Sequence, residues 1–319
     1  MPGFTTHYLF GIDAYRRIDD PKIRWNLAHN HSAYALGLQG PDLFFYFFPS
    51  YLLHRENLGA LAHSRDTGLF FSNLLKSRML FHGKPHSLGV ADAYISGFLG
   101  HYTLDCTAHP YVYAFTKYDP DAPRKVTHYF GQHAYFETEI DNELLLYKKG
   151  LRPTQFHQND TICLNPLQKK VIAKMLTYAY RNTYPGLIVS DFLMRRAFRW
   201  MRTVTRLLND PSGQKKVLVR FMEKLILRRP LFSPMLASDH YRFVKDPLNI
   251  THRRWVHPWT KKASTESFWN LYRKAERLYD KRLKLYYHMV AHGFSEELQQ
   301  QVVHAYGNRS FLSGEELEK

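Results

Sequence analysis

The chain has 319 residues, 44 Lys/Arg against 28 Asp/Glu, a net charge of +16 and 45% hydrophobic residues, enough for a buried core in one large domain or two smaller ones. Its two cysteines, Cys106 and Cys163, exclude a disulfide framework and have no C-x-x-C spacing for a thiolate metal site. No apolar stretch reaches the roughly 18 residues that a transmembrane helix needs.

In chain order, Met1 to His7 lacks the basic and apolar run of a secretory signal, so the expectation is a cytoplasmic protein, or one peripheral at a membrane. Residues 20–37 read helical around Trp25, Leu27 and Leu36, and Gly37-Leu38-Gln39-Gly40-Pro41 breaks them. Residues 51–80 give two helical stretches parted near Asp66-Thr67-Gly68, and Gly83-Lys84-Pro85 is a loop. Leu88 to Ala108 is a helix whose Gly97 and Gly100 permit close packing, ending near His109-Pro110. A Pro/Asp loop from Tyr118 to Pro123 leads to a second helix, from Gln132 to about Lys148. The irregular stretch 150–165 is the best domain boundary, dividing residues 1–150 from residues 151–319. Helices follow at 167–182, 189–208 and 214–228, then a polar, aromatic loop from Pro230 to Pro258 with Asp239-His240-Tyr241 and the Trp255/Trp259 pair. Ser264 with Ser267 caps a last long helix, and 295–306 adds another. Strand alternation is confined to 111–115, and there are no repeats, so the predicted class is an all-α, multi-helix bundle.

Two of these helices carry the chemistry. His101/Asp105 and His133/Glu137 are each spaced by four residues, which places both side chains on one helix face about a turn apart. Imidazole with carboxylate on a rigid face suits a borderline cation such as zinc. Chance alone supplies about one or two such spacings in a chain of this composition. A third pair, His292/Glu296, shows how chance behaves: Gly293 ends one helix and Ser295 caps the next, so that pair with His288 is rejected as a site. Around the first two stand His109, which Pro110 turns outward, and upstream His63, Asp42 and His7 in apolar contexts. The alternative for all of them is a set of buried, hydrogen-bonded polar residues such as any core contains.

The ordered run Thr6-His7-Tyr8, Ala35 to Tyr46, His101-x3-Asp105-x3-His109-Pro110 and His133-x3-Glu137-x3-Asp141 resembles the bacterial zinc-dependent phospholipase C family over residues 1 to about 145. A looser echo continues through Leu248 to His252 and Trp255 to Trp259. The resemblance implies an all-helical cleft with a metal-bearing core in residues 1–150 and a basic helical region, 151–319, packing on or extending it. It assigns His133, Glu137 and His109 to one zinc ion, and His101, Asp105 and His63 to a second. Asp105 would bridge to a third ion held by His7, and Asp42 would be the base for the attacking water. Secreted members complete the third site with an amino group freed by signal removal. This chain needs different ligands there unless loss of Met1 exposes the Pro2 amine, so the count is two or three zinc ions. His29, His31 and His54 stay open as substitutes for His63 or His7. Asp141 is either a partner that orients a ligand histidine or a solvated helix acid. The function implied is metal-dependent hydrolysis of a phosphodiester, with phospholipid the leading substrate. The alternatives are a zinc-dependent nuclease or nucleotidase, and a non-catalytic helical module that binds anionic membrane or nucleic acid.

The charge is unevenly placed. Residues 1–160 hold 15 basic and 15 acidic residues, while 169–229 hold 15 basic and 3 acidic, interleaved with Phe192, Leu193, Phe198, Trp200, Met201, Leu218, Phe221 and Leu225. That composition suits peripheral contact with an anionic membrane, and secondarily nucleic acid. A plain solvated cationic helix face has the same composition.

Overall fold

The computed structural model describes residues 3–54, 56–122, 126–228, 230, 232–239 and 244–318. Among these the chain is all-α. The first helices are α1 (Phe4–Arg17), α2 (Pro21–His29), α3 (His31–Leu38), α4 (Pro49–Leu53), α5 (Leu58–Ser64) and α6 (Thr67–Ser77). The two long central helices, α7 (Pro85–Phe115) and α8 (Val126–Lys149), are followed by α9 (Gln158–Thr161), α10 (Pro166–Thr183), α11 (Asp191–Leu207) and α12 (Gln214–Ile226). The chain then forms a two-stranded hairpin, β1 (Trp255–Val256) with β2 (Ala263–Ser264), before α13 (Phe268–Ala291) and α14 (Glu296–Tyr306).

The helix ends follow local chemistry. Asp20 caps α2 by accepting from the Lys22 and Ile23 amides, Ser267 caps α13 and Ser295 caps α14. Asn57 caps α5 by accepting from Gly59 N at 2.8 Å, which fixes the turn from which His63 projects. Gly293, at φ 95°, ends α13 and separates His288 from Glu296 as the sequence predicts.

Several boundaries differ from the sequence reading. The structure adds α1 ahead of residue 20, and Asn30 breaks the stretch 20–37 into α2 and α3. Residues 111–115 are helix, not strand, because α7 continues through Pro110 to Phe115. Pro110 deprives the Cys106 carbonyl of its helical donor, and the C-terminal turn lies against that carbonyl: a Cβ on Gly314 would stand 2.2 Å from Cys106 O. The helix therefore persists through its proline because packing on all sides outweighs the missing bond. His240 and Tyr241 lie outside the described residues.

The core crosses the 150–165 boundary. α10 packs on α6 and α7, and α13 on α7, so one buried cluster draws on residues from Phe4 to Phe311. Helix α3 crosses α7 at glycines: a Cβ on Gly37 would meet Tyr94 O at 2.2 Å, and one on Gly97 would meet Tyr34 O at 2.2 Å. That contact brings the end of α3 against His101, and Gly40, at φ 50°, turns the chain away where a Cβ would stand 2.3 Å from the imidazole.

Candidate metal centre

The sequence-predicted residues meet at one place. The structure forms three groups whose potential ligand atoms lie within 4.8 Å of one another: His7, His101 and Asp105; Asp42, His63 and His101; His109, His133 and Glu137. α1 supplies His7, the short 3-10 turn Gly40–Phe44 supplies Asp42, and α5 supplies His63. α7 supplies His101, Asp105 and His109, and α8 supplies His133 and Glu137. His133 is part-buried and the other seven are buried.

Asp105 lies at the middle. Its Oδ1 is 3.1 Å from His7 Nε2, and its Oδ2 is 3.1 Å from His101 Nε2 and 3.5 Å from His63 Nε2. Asp42 Oδ1 lies 3.1 Å from His63 Nε2 and 3.8 Å from His101 Nε2. In the third group His133 Nε2 is 2.7 Å, and His109 Nε2 3.6 Å, from Glu137 Oε1.

These separations do not mark ordinary hydrogen bonds. The Nε2 atoms of His7, His63, His101 and His109, with Asp42 Oδ1 and both Asp105 oxygens, are buried and lack hydrogen-bond geometry to any partner. Burying so many unsatisfied polar atoms is costly. Atoms that share one tetrahedral cation at about 2 Å stand roughly 3.3 Å apart with their lone pairs aimed at the cation rather than at each other. The pattern here is of that kind, and the buried His/Asp/Glu clusters can hold a metal ion.

The far sides of the rings agree. His63 Nδ1 faces Gly59 O at 2.6 Å, His101 Nδ1 faces Leu38 O at 3.1 Å and His109 Nδ1 faces Phe311 O at 2.6 Å. A carbonyl can only accept, so each Nδ1 carries a proton and each Nε2 is the nitrogen turned inward, the orientation of a metal ligand. These carbonyls are what sequence reasoning missed, since any residue offers one and no motif marks it.

Electrostatics point the same way. Burial, helped by His101, lowers the His7 pKa, and burial lowers that of His133 well below the ordinary value, so both imidazoles are neutral at neutral pH. Burial opposes ionisation of Asp105, but His101 and His7 hold its carboxyl well below the usual range. Burial pulls His63 down, yet the Asp105 and Asp42 carboxylates overcome it and lift the ring to about 9. Burial raises Glu137 well above the carboxylate range. A cation entering here takes the place of protons.

Other sequence expectations are placed differently. His29 and His31 are exposed, and His54 lies outside all three groups. Asp141 is neither a partner of a ligand histidine nor solvated. Its buried carboxylate accepts from Thr5 N at 3.0 Å, Thr6 N at 2.8 Å and Thr6 Oγ1 at 2.5 Å, so it ties the first turn of α1, and thereby His7, to α8. Asp42 sits inside its 3-10 turn with Oδ1 turned to the histidines, not to a helix terminus. The Pro2 amine lies outside the described residues.

The C-terminal segment closes the centre. Phe311 N donates to His63 O at 2.9 Å, and its ring lies 4.7 Å from that of His63 and 5.8 Å from that of His101. Beside His133, Tyr113 and Trp259 form an aromatic wall, with Tyr113 4.7 Å from His133 and 5.2 Å from Trp259.

Comparison of the chain with protein-family models, with curated proteins and with solved structures gives no match.

Proposed function

We propose that the chain is a metal-dependent phosphodiester hydrolase of the zinc phospholipase C type, with phospholipid as its first candidate substrate. The observation that carries this reading is the convergence of buried, unpartnered imidazole nitrogens and carboxylate oxygens from α1, α5 and α7, beside the His109, His133 and Glu137 group that α7 shares with α8. Zinc held by His7, His63, His101 and Asp105, and by His109, His133 and Glu137, would supply Lewis acidity and an acidified water. Asp42 orients the attacking water and takes its proton as the new O–P bond forms and the ester P–O bond breaks, the alcohol leaving with a proton. Phe311 and the surrounding aromatic rings keep bulk water from the histidines. The order of ligands along the chain supports phospholipid through the family it resembles. The chain's positive charge supports a nucleic-acid substrate as the second reading.

The test measures zinc content and then assays mixed phospholipid vesicles and single-stranded nucleic acid in parallel. The expected result is two or more zinc equivalents and release of soluble phosphorylated headgroup. Nucleotide release instead selects the nuclease, and zinc-free protein that turns over neither substrate overturns the reading.

A further inference from the structure

Helix α12 is built inside out. Its six side chains Val217, Leu218, Phe221, Met222, Leu225 and Ile226 are between 45% and 70% exposed. The residues it buries are Lys216 and Glu223. Lys216 Nζ donates to Leu236 O at 3.2 Å and its amide to Asp210 Oδ2 at 2.8 Å, while the Glu223 carboxylate accepts from Phe232 N and, at 3.0 Å, from Ser233 N. The helix is thus fastened to the protein by two polar residues and turns its apolar face to solvent.

Helix α11 shows that this is not a general property of the basic region. Its Phe198 and Met201 are buried and Leu193 and Trp200 pack on the core, which is the ordinary amphipathic arrangement. At about 100° per residue, Leu218, Phe221 and Leu225 point away from Lys216 and Glu223, while Lys224 lies along one side of that apolar ridge and Arg220 between it and the buried face. Lys216, Val217, Arg220, Phe221 and Lys224 line a shallow cavity of about 300 Å³ along this flank. From residue 192 to 228 there are ten basic residues and two acidic ones, Asp210 and Glu223, both buried.

We propose that α12 is a membrane-docking helix for an anionic lipid bilayer: Leu218, Phe221 and Leu225 enter the headgroup–acyl boundary while Lys224 meets lipid phosphates. Charge decides among the occupants of this face. A second copy packed antiparallel through the same ridge would bring the Lys224 ammonium groups of both chains to the same side of the seam, where α12 offers no carboxylate, since its only acid, Glu223, is buried on the opposite face. Nucleic acid would satisfy the cations and could stack one base on Phe221, but it would leave the more numerous aliphatic side chains Val217, Leu218, Leu225 and Ile226 in water. An anionic bilayer satisfies both kinds of residue at once. The surface does not depend on the metal centre, so the two readings stand or fall separately.

The test uses the full chain, with and without chelator, sedimented with phosphatidylcholine vesicles or phosphatidylcholine/phosphatidylserine vesicles. Binding is expected to the anionic vesicles, to weaken with salt and to survive chelation. Phe221→Ser with Leu225→Ser lowers partitioning by about tenfold or more, and Lys224→Gln lowers it by about fivefold. Both variants keep the wild-type circular dichroism and melting temperature, because the altered side chains are exposed. The proposal is overturned if anionic vesicles are not bound, if the serine variant binds as well as wild type, or if chelation abolishes binding while circular dichroism shows the chain still folded. It is equally overturned if light scattering shows a dimer that the serine variant loses, or if a single-stranded oligonucleotide displaces the vesicles and binds the serine variant unchanged.

Discussion

At the level of one residue, Asp42 is where the proposed catalysis can be told apart from metal holding. Its Oδ1 is close enough to His63 and His101 to belong with the ligands, yet the resemblance gives it the role of base. Asp42→Asn is expected to keep zinc and fold and to lower turnover by roughly two to four orders of magnitude, the scale of a lost general base. Metal analysis of the variant decides the matter, since a loss of zinc makes Asp42 a ligand. By contrast, His133→Ala is expected to lose metal and stability together, read by zinc content and by melting. Asp141 gives a pH prediction. Burial raises its carboxyl to about 6 despite the bonds from Thr5 and Thr6, above the unfolded value of about 3.9. The folded state therefore binds the extra proton, so the contribution of Asp141 to stability is greatest below about pH 4 and declines by up to about 3 kcal/mol between about pH 4 and 6. Denaturant titrations from pH 4 to 7 should show that slope in the wild type and a shallower one in Asp141→Asn. Equal slopes would mean that Asp141 ionises as freely folded as unfolded.

Among the elements, α7 is the spine of the site and the C-terminal segment is its cover. α7 holds His101, Asp105 and His109 on one face over two turns, and the Phe311 carbonyl fixes the His109 ring from outside the helix. Phe311→Ala leaves that carbonyl in place but empties the space between Tyr102, His63 and His101, at a cost of about 3–5 kcal/mol. Removing residues 307–319 also takes away the carbonyl, and zinc affinity should fall by about ten- to a hundredfold, the usual effect of losing a ligand's outer partner. Competition with a chromogenic chelator measures it. Unchanged affinity in the truncated chain would mean that the cover contributes packing alone.

Over the whole molecule, the centre joins helices from the first residues described to the last turn of the chain. Metal removal should therefore lower the melting temperature of the entire structure in one cooperative transition, because the ligands of α1, α5, α7 and α8 then face one another with carboxylates and imidazoles uncompensated. Calorimetry with and without chelator tests this. A chelated protein that melts at the same temperature would show that hydrogen bonds alone satisfy the cluster. No described helix is long and apolar enough to cross a membrane.

The sequence by itself determined the all-α class, the two H-x-x-x-acid pairs and the chain order of all eight site residues, because helical period and i,i+4 spacing are local properties that survive without tertiary context. It also excluded His292/Glu296, since Gly293 and Ser295 act on their own backbone. It did not place α1 or carry α7 through Pro110, for there local preference is overridden by packing against distant segments. Only the tertiary structure decided that His7 and His63 join His101 and Asp105, that Asp141 caps α1 rather than orienting a histidine, and that Phe311 closes the site from some two hundred residues away. The same holds for α11 and α12, whose compositions look alike. Which apolar face is covered depends on what the rest of the chain brings against it, and no pattern within either helix records that.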